Sequence, residues 1–244
     1  MTNLILLCHS GDKNAWLWPY WFYYWEKNFK GNGKVDTVFL SEEKMFSVTG
    51  DKENGFTQMT IGPGVRWGIG LTKALLKLTC GHVLYMHEDY FLDKPCDFDR
   101  LIAIVNWMIY NHSAMVKCCG AWAGDPEWDK PEAFTLAPSG IEPTENSPAS
   151  FQREPMYIYN NTHPYTISHQ ATIWNREFLI STLLPDYSPW DHEILGSEAL
   201  SKRNIPLHVY RGAPPVPYGE TVNRGQRRPG SEFLFNYVDT HQGC

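Results

Sequence analysis

Short apolar runs alternate with amphipathic stretches along this chain, and that alternation sets the expected architecture. Leu4 to Cys8 is an unbroken apolar run, read as a first strand. Trp18, Trp21, Phe22 and Trp25 then recur at the spacing of one helix face, with Pro19 in the first turn. Trp16 and Tyr20 fall off that stripe and are the better ligand candidates. Lys34 to Leu40 and Phe56 to Ile61 have strand character, and Gly62-Pro63-Gly64 is a turn. Val65 to Leu78 predicts a helix with Leu71, Leu75 and Leu78 on one side. Val83-Leu84-Tyr85-Met86 follows, the pattern of a short strand buried on both faces of a parallel sheet.

Asp97 is placed to cap a helix carrying Leu101, Ile102, Val105 and Met108 at helical period. Ala114 to Cys119, Met156 to Tyr159, Tyr165 to Thr172 and Leu207 to Tyr210 are further strand candidates. Asn175 caps a helix through Leu184, which Pro185 stops. Ser188-Pro189-Trp190-Asp191 is a helix start, with a serine cap, proline first and an acid third, and that helix runs through Leu200. Strand–helix–strand order of this kind predicts an α/β domain with a mainly parallel central sheet flanked by helices. Residues 120–156 break the rhythm with Pro126, Pro131, Pro138, Pro143, Pro148 and Pro155. They form a long Pro-rich loop, read as a lid or acceptor-side loop, or as a surface insertion. Residues 218–244, with Arg224, Arg227 and Arg228 among glycines and prolines, are expected to form a flexible tail. No linker divides residues 1–244, so one domain is expected.

Composition narrows the function. A hydrophobic fraction of 43% in 244 residues is ample for a core. A net charge of -6 argues against nonspecific nucleic-acid binding, so no nucleic acid is expected as partner. No apolar run is long enough for a transmembrane span, and the first residues lack the basic start of a signal peptide. Cys8, Cys80, Cys96, Cys118, Cys119 and Cys244 show neither zinc spacing nor a disulfide framework. Reduced thiols and a cytoplasmic location are the expectation. An aromatic fraction of 14%, with Trp 10, favours a carbohydrate or nucleotide ligand, since such rings stack on sugars and bases.

The chemistry concentrates where Met86 gives way to His87-Glu88-Asp89. Carboxylates at the C-terminal end of a parallel strand lie on the edge where open α/β sheets bind ligands. Two hard oxygen donors there suit a divalent cation that holds a phosphate, and the plain alternative is a solvated strand end. His9-Ser10-Gly11-Asp12 follows the first strand on the same edge and suits a base or ribose, or is an ordinary strand-to-helix loop.

In combination these motifs resemble small GT-A-type glycosyltransferases of bacteria and large DNA viruses, including the sugar-transferring domains of chlorella-virus proteins. The matching pieces, in order, are Leu6 to Asp12, Arg66-Trp67-Gly68, Leu84 to Leu92, His169 to Trp174, and Ser188 to Glu193. The resemblance implies a single GT-A-like (Rossmann-like) domain. It implies transfer of a sugar from a nucleotide-diphosphate sugar to a glycan hydroxyl, with inversion, a UDP-sugar ahead of a GDP-sugar as donor, and Mn²⁺ or Mg²⁺ as cofactor. Asp89, then Glu88, would hold the metal, in place of the family's usual Asp-X-Asp. His9, Ser10, Gly11, Asp12, Arg66, Trp67 and His87 would meet the donor. Gln170, Trp174 and Trp190 would meet sugar, although core packing is an equal reading of Trp174. Asp191 is the first choice of general base and Glu193 the second, and a capping role alone would also account for Asp191. His169 and His208 are read first as structural histidines.

Other classes fit less well. A nucleotidyltransferase of related fold usually carries a glycine-rich basic loop after its first strand, and Ser10-Gly11-Asp12 is neither. A non-catalytic carbohydrate-binding protein would more often be all-β. A glycoside hydrolase also uses paired carboxylates, but the chain lacks the repeats of the common barrel.

Overall fold

The computed structural model describes residues 3–30, 35–46, 55–118, 134–142, 153–159, 165–203, 205–223 and 226–241. The first half carries β1 (Leu4–His9), α1 (Trp18–Asn28), β2 (Asp36–Ser41), β3 (Phe56–Thr60), α2 (Trp67–Lys77), β4 (His82–His87), β5 (Tyr90–Phe91), α3 (Phe98–Tyr110) and β6 (Met115–Lys117). The second half adds β7 (Phe134–Leu136), β8 (Met156–Tyr159), β9 (Thr172–Asn175), α4 (Arg176–Thr182), α5 (Pro189–Asp191), α6 (Ser197–Ser201), β10 (Leu207–Tyr210), β11 (Gly219–Glu220), β12 (Val222–Asn223), β13 (Gln226–Arg227) and α7 (Glu232–His241). Nine strands form one sheet in the order β3-β2-β1-β4-β9-β6-β10-β8-β7. β3, β2, β1 and β4 are mutually parallel, while β9 and β8 run against the rest. The sheet is therefore mixed but mostly of one direction, with its parallel half at the β3 side.

Alternation along the central strands explains the two layers. Leu84 and Met86 of β4 belong to a core shared with Trp18, Trp21, Leu101 and Phe235, whereas Val83 and Tyr85 belong to one shared with Leu71, Leu75, Leu179 and Leu200. Side chains of a strand point to opposite faces in turn, so a strand covered on both sides needs apolar residues throughout. α1, α3 and α7 cover one face; α2, α4 and α6 cover the other. Cys8, Cys80, Cys96 and Cys118 are buried within these layers. No helix of the described residues is long and apolar enough to cross a membrane.

Three expectations need correction. Tyr165 to Thr172 is not a strand: only Thr172–Asn175 joins the sheet. Tyr165 has a left-handed φ of 67°, and the donors that a strand would give to a ladder go to side chains instead. Ile167 N–H donates to Ser197 Oγ at 2.8 Å, His169 N–H to Glu193 Oε1 at 2.8 Å, and Gln170 N–H to Ser168 Oγ at 3.2 Å. The second correction concerns residues 218–241, expected to be a flexible tail. They form the β12–β13 pairing and α7, whose Leu234, Phe235 and Val238 are buried. Arg227 lies 4.0 Å over the Phe235 ring, and Arg228 pairs with Glu220 at 2.5 Å. Third, the Pro-rich stretch is not all loop. Phe134–Leu136 adds an edge strand to β8, and Ile141 bridges to Glu154. Residues 119–133 and 143–152 lie outside the described residues, as does Arg224.

Candidate functional site

β1 and β4 pair in parallel from Leu4↔His82 to His9↔His87, so both strands end together. Their continuations, Ser10-Gly11 and Glu88-Asp89, open side by side on a cavity of ≈ 770 Å³ at the C-terminal edge of the parallel half. The N-terminal turn of α2 supplies Trp67 to it, the bend before β9 supplies His169, and the helix that starts at Pro189 supplies Trp190 and Glu193. That helix begins as α5, widens into a π turn over His192–Gly196, and resumes as α6. π turns of this kind recur at functional sites because they re-aim side chains within a helix.

The acidic turn is deeply set. Glu88 is 2% exposed and accepts a hydrogen bond from Asn14 Nδ2 at 2.5 Å. Burial pushes its carboxyl up to about 7, against the pull of bonds from Asn14 and Ser10 and of the Lys13 charge. Asp89 is pushed up to about 8 by burial first, and then by the negative charges of Glu88 and Glu220. Its Oδ1 is buried without a hydrogen-bond partner. Its backbone carbonyl accepts from both Thr221 N–H at 2.9 Å and Thr221 Oγ1 at 2.8 Å. Thus the C-terminal segment, through β11 pairing with β5, clamps the acidic turn in place.

Behind the carboxylates lies a group of buried aromatic and imidazole rings. His9 Nδ1 is 3.1 Å from Tyr85 Oη, which is 3.3 Å from His87 Nε2. His87 stacks on His169 with ring centroids 5.4 Å apart, and His169 Nε2 meets His192 Nδ1 at 2.8 Å. Trp67 packs against His9, His169 and His192. Burial lowers His9 to about 3, His87 to about 4 and His192 to about 3, and drives His169 well below its ordinary value. These imidazoles are neutral at neutral pH. Glu193 is raised by burial, and is held down in part by the His169 N–H bond and the Lys117 charge.

The structure brings together eleven of the residues singled out from sequence. His9, Ser10, Gly11, Trp16, Trp67, His87, Glu88, Asp89, His169, Trp190 and Glu193 all line the cavity. The others are placed elsewhere. Asp12 accepts hydrogen bonds from the backbone N–H groups of Glu42, Glu43 and Lys44, and so pins the loop after β2. Arg66 is exposed and paired with Asp186. Trp174 is fully buried between Phe178 and His192, which leaves it no face for a sugar. Gln170 accepts from Tyr218 Oη at 3.1 Å. Asp191 completes a capping box, its Oδ2 accepting from Ser188 N–H at 2.9 Å and Ser188 Oγ at 2.6 Å. Those serine bonds lower its pKa. Asn14, His192 and Glu220 are site residues that sequence reasoning did not assign. Asn14 and Glu220 meet their partners across a long stretch of chain, and His192 meets His169 across 23 positions, so no local spacing announces them.

No family model matches the chain. No curated protein matches it either. Solved structures do. The chain is similar to a mannosyltransferase, PcManGT from Pyrobaculum calidifontis in complex with GDP-Man and Mn²⁺, at 13% identity and TM-score 0.54, over 91% of this chain and 58% of that one. It is similar to S. aureus TarS 1-349 in complex with UDP-GlcNAc at 13% identity and TM-score 0.54, over 98% of this chain and 66% of that one. A third likeness is to CMP:2-keto-3-deoxy-manno-octonic acid synthetase complexed with CTP, at 12% identity and TM-score 0.52, over 98% of each chain. The chain spans about 59% of the length of the TarS structures that head these matches. Taken with the sheet order, these likenesses define the fold as a GT-A-like α/β domain. It is an architecture on which both sugar-transferring and nucleotide-transferring proteins are built.

Proposed function

We propose that this chain is a divalent-metal-dependent, inverting glycosyltransferase that moves a sugar from a nucleoside-diphosphate sugar to a hydroxyl of a glycan. One observation carries the reading. Glu88 and Asp89 on one wall, and Glu193 on another, converge from distant parts of the chain on a single cavity of ≈ 770 Å³. The ordered motif set supports the small bacterial and large-DNA-virus subtype, and the neighbours' UDP-GlcNAc and GDP-Man complexes support a UDP- or GDP-sugar donor.

The acidic pair fits a hard cation. Asp89 Oδ1 is a buried oxygen with no protein partner, and Glu88 places a second carboxylate beside it. Among the described residues no three His, Cys, Asp or Glu side chains group as a cage. The pair therefore suits Mg²⁺ or Mn²⁺ completed by phosphate and water. When bound there, the cation would supply Lewis-acid stabilisation of the charge that grows on the diphosphate leaving group.

The chain's own residues would do the rest. Ser10 and Gly11 line the floor beside β1, and Trp16 and Trp190, 40% and 62% exposed, offer ring faces to base or sugar. Glu193 would take the proton of the attacking hydroxyl. Asp191 is ill placed for that role, being outside the cavity lining and already bonded to Ser188.

Thermal melts with UDP, GDP, TDP and CMP, each with and without Mn²⁺, test the reading. One nucleotide should stabilise the protein only when metal is present, by about 2.7 kcal/mol at a hundredfold excess over Kd. Asp89→Ala should remove that gain. If no nucleotide stabilises the protein in the presence of Mn²⁺, the transferase reading fails. Release of pyrophosphate from a nucleoside triphosphate would instead favour the synthetase-like chemistry.

A further inference from the structure

A buried imidazole ordinarily has both ring nitrogens paired. His169 does not. It is 4% exposed, its Nε2 meets His192, and its Nδ1 is buried with no hydrogen-bond partner, 3.9 Å from Glu193 Oε1.

The proton positions along this chain follow from its far end. Thr182 Oγ1 has a single hydrogen, which it donates to the Leu179 carbonyl at 2.7 Å. Toward His192 Nε2, 2.8 Å away, it can only accept. His192 therefore carries its proton on Nε2. Both imidazoles are held neutral by burial, so His192 Nδ1 is bare and accepts from His169 Nε2–H. His169 Nδ1 is then a bare lone pair as well. It cannot donate to Glu193, and solvent does not reach it. Of the carboxylates, Glu193 is the one that stands near it, at 3.9 Å, so a shift of that side chain brings the two into hydrogen-bond reach.

The geometry points to a proton-holding pair. When Glu193 takes the proton of the attacking hydroxyl, the new carboxylic acid donates its hydrogen bond to His169 Nδ1, and Thr182 keeps that lone pair available through His192. This rests on the reading of Glu193 as general base. In the step, the hydroxyl O–H bond breaks and its proton goes to a Glu193 oxygen. The freed electron pair forms the new bond to the anomeric carbon, and the nucleoside diphosphate leaves with the electrons of the old glycosidic bond. His169 and Thr182 are positioning residues, since neither exchanges the proton. The π turn serves the pair by turning His192 inward while Glu193, its neighbour in sequence, faces the cavity. Gly196 leaves room for this, because a Cβ there would stand 3.2 Å from His192 Cδ2.

Among the described residues, the other charged or titratable groups that face Glu193 are Lys117 on β6, Asp89 and Tyr90 after β4, and Tyr85 on β4. Replacing Thr182 alters none of them. Thr182→Val keeps the shape but removes the acceptor. His192 should then move its proton to Nδ1, and His169 should follow, presenting Nδ1–H to Glu193. A donor there favours the ionised carboxylate, so Glu193 becomes a weaker base.

The experiment uses the full chain labelled with ¹⁵N in histidine and ¹³C in the glutamate carboxyl, without metal. In the unaltered protein, both His169 and His192 should show the Nε2–H form. In Thr182→Val, the His169 proton should move to Nδ1, and the Glu193 titration midpoint should fall by about 1. Thr182→Ser should restore both. His169→Asn, which sets an amide oxygen near the former Nδ1, should hold the midpoint within about half of that change, and His169→Phe should not. A protonated His169 Nδ1 in the unaltered protein overturns the inference. So does a Glu193 midpoint that stays fixed in folded Thr182→Val. These readings need no turnover. If nucleotide binding fails while the tautomer and midpoint behave as stated, the pair stands and the transferase reading falls. If turnover is found while the midpoint is fixed, the reverse holds.

Discussion

Glu88 and Asp89 are adjacent in the chain and share a poorly hydrated pocket, so burial makes both harder to ionise and the Glu88 charge adds to the effect on Asp89. Their folded pKa values are raised, from 4.5 to about 7 and from 3.8 to about 8. The folded state thus binds more protons than the unfolded chain across that interval, and stability falls as pH rises through it. The buried histidines act on the other side. Their folded values are lowered from 6.5, so their contribution to stability is present above that value and is lost as pH falls below it. Comparing Asp89→Asn with the unaltered protein cancels the histidine part. Without divalent cation, the variant should gain in melting temperature relative to the unaltered chain from about pH 5 to about pH 8, reaching on the order of 1–3 kcal/mol. A gap that shrinks over that range would contradict the assignment. At this scale the acids themselves were legible, because an apolar run that ends in two carboxylates is visible in any window. Their surroundings were not. Asn14 reaches Glu88 across 74 positions, and Glu220 presses on Asp89 from the far end of the chain.

The helix that begins at Ser188 shows what an element adds. Its serine cap, proline and third-position acid were readable as a start signal, and the capping box is present. The family resemblance made Asp191 the first choice of base, and the start signal supplied the rival reading of it as a cap. In the structure the box occupies its carboxylate, and the π turn brings Glu193 to the cavity. Ser188→Ala should cost about 1 kcal/mol in urea unfolding, while Asp191→Asn should keep turnover and Glu193→Gln should lose about 10²–10⁴-fold. Loss of turnover in Asp191→Asn at unchanged fold would return the role to Asp191. The segment before β9 carries the opposite lesson. Tyr165 to Thr172 has strand composition, but tertiary partners on the Ser188 helix took its donors and bent it. The bend is what delivers His169, so the misread element and the least expected site residue have one cause. The tight entry of α2 is of the same kind. A side chain on Gly68 would collide with the Leu184 carbonyl oxygen, a constraint that no local pattern announces.

Across the whole molecule, the mainly parallel half and its two covering layers followed from strand–helix alternation, whereas the antiparallel insertion of β9 and the role of the last segment did not. Periodicity reports which faces are buried, not which distant strand lies next door. α7 shows the difference. Its Leu234, Phe235 and Val238 pack under α1, and Tyr24 Oη donates to the Leu234 carbonyl at 3.0 Å. Phe235→Ala should cost about 3–5 kcal/mol. It should also speed hydrogen exchange at Thr221 N–H, the group that holds the Asp89 carbonyl. Unchanged Thr221 exchange in a destabilised variant would separate the helix from the clamp.

That clamp has a consequence in time. A chain leaving the ribosome completes β1, β2, β3 and β4 long before residues 219–222 exist. Until Thr221 arrives, the acidic turn has its residues but not its anchor. The parallel strands can therefore pair early, while the acidic turn is anchored only after residues 219–222 have been made, and a chain cut before them would keep both carboxylates without the two Thr221 bonds that hold them.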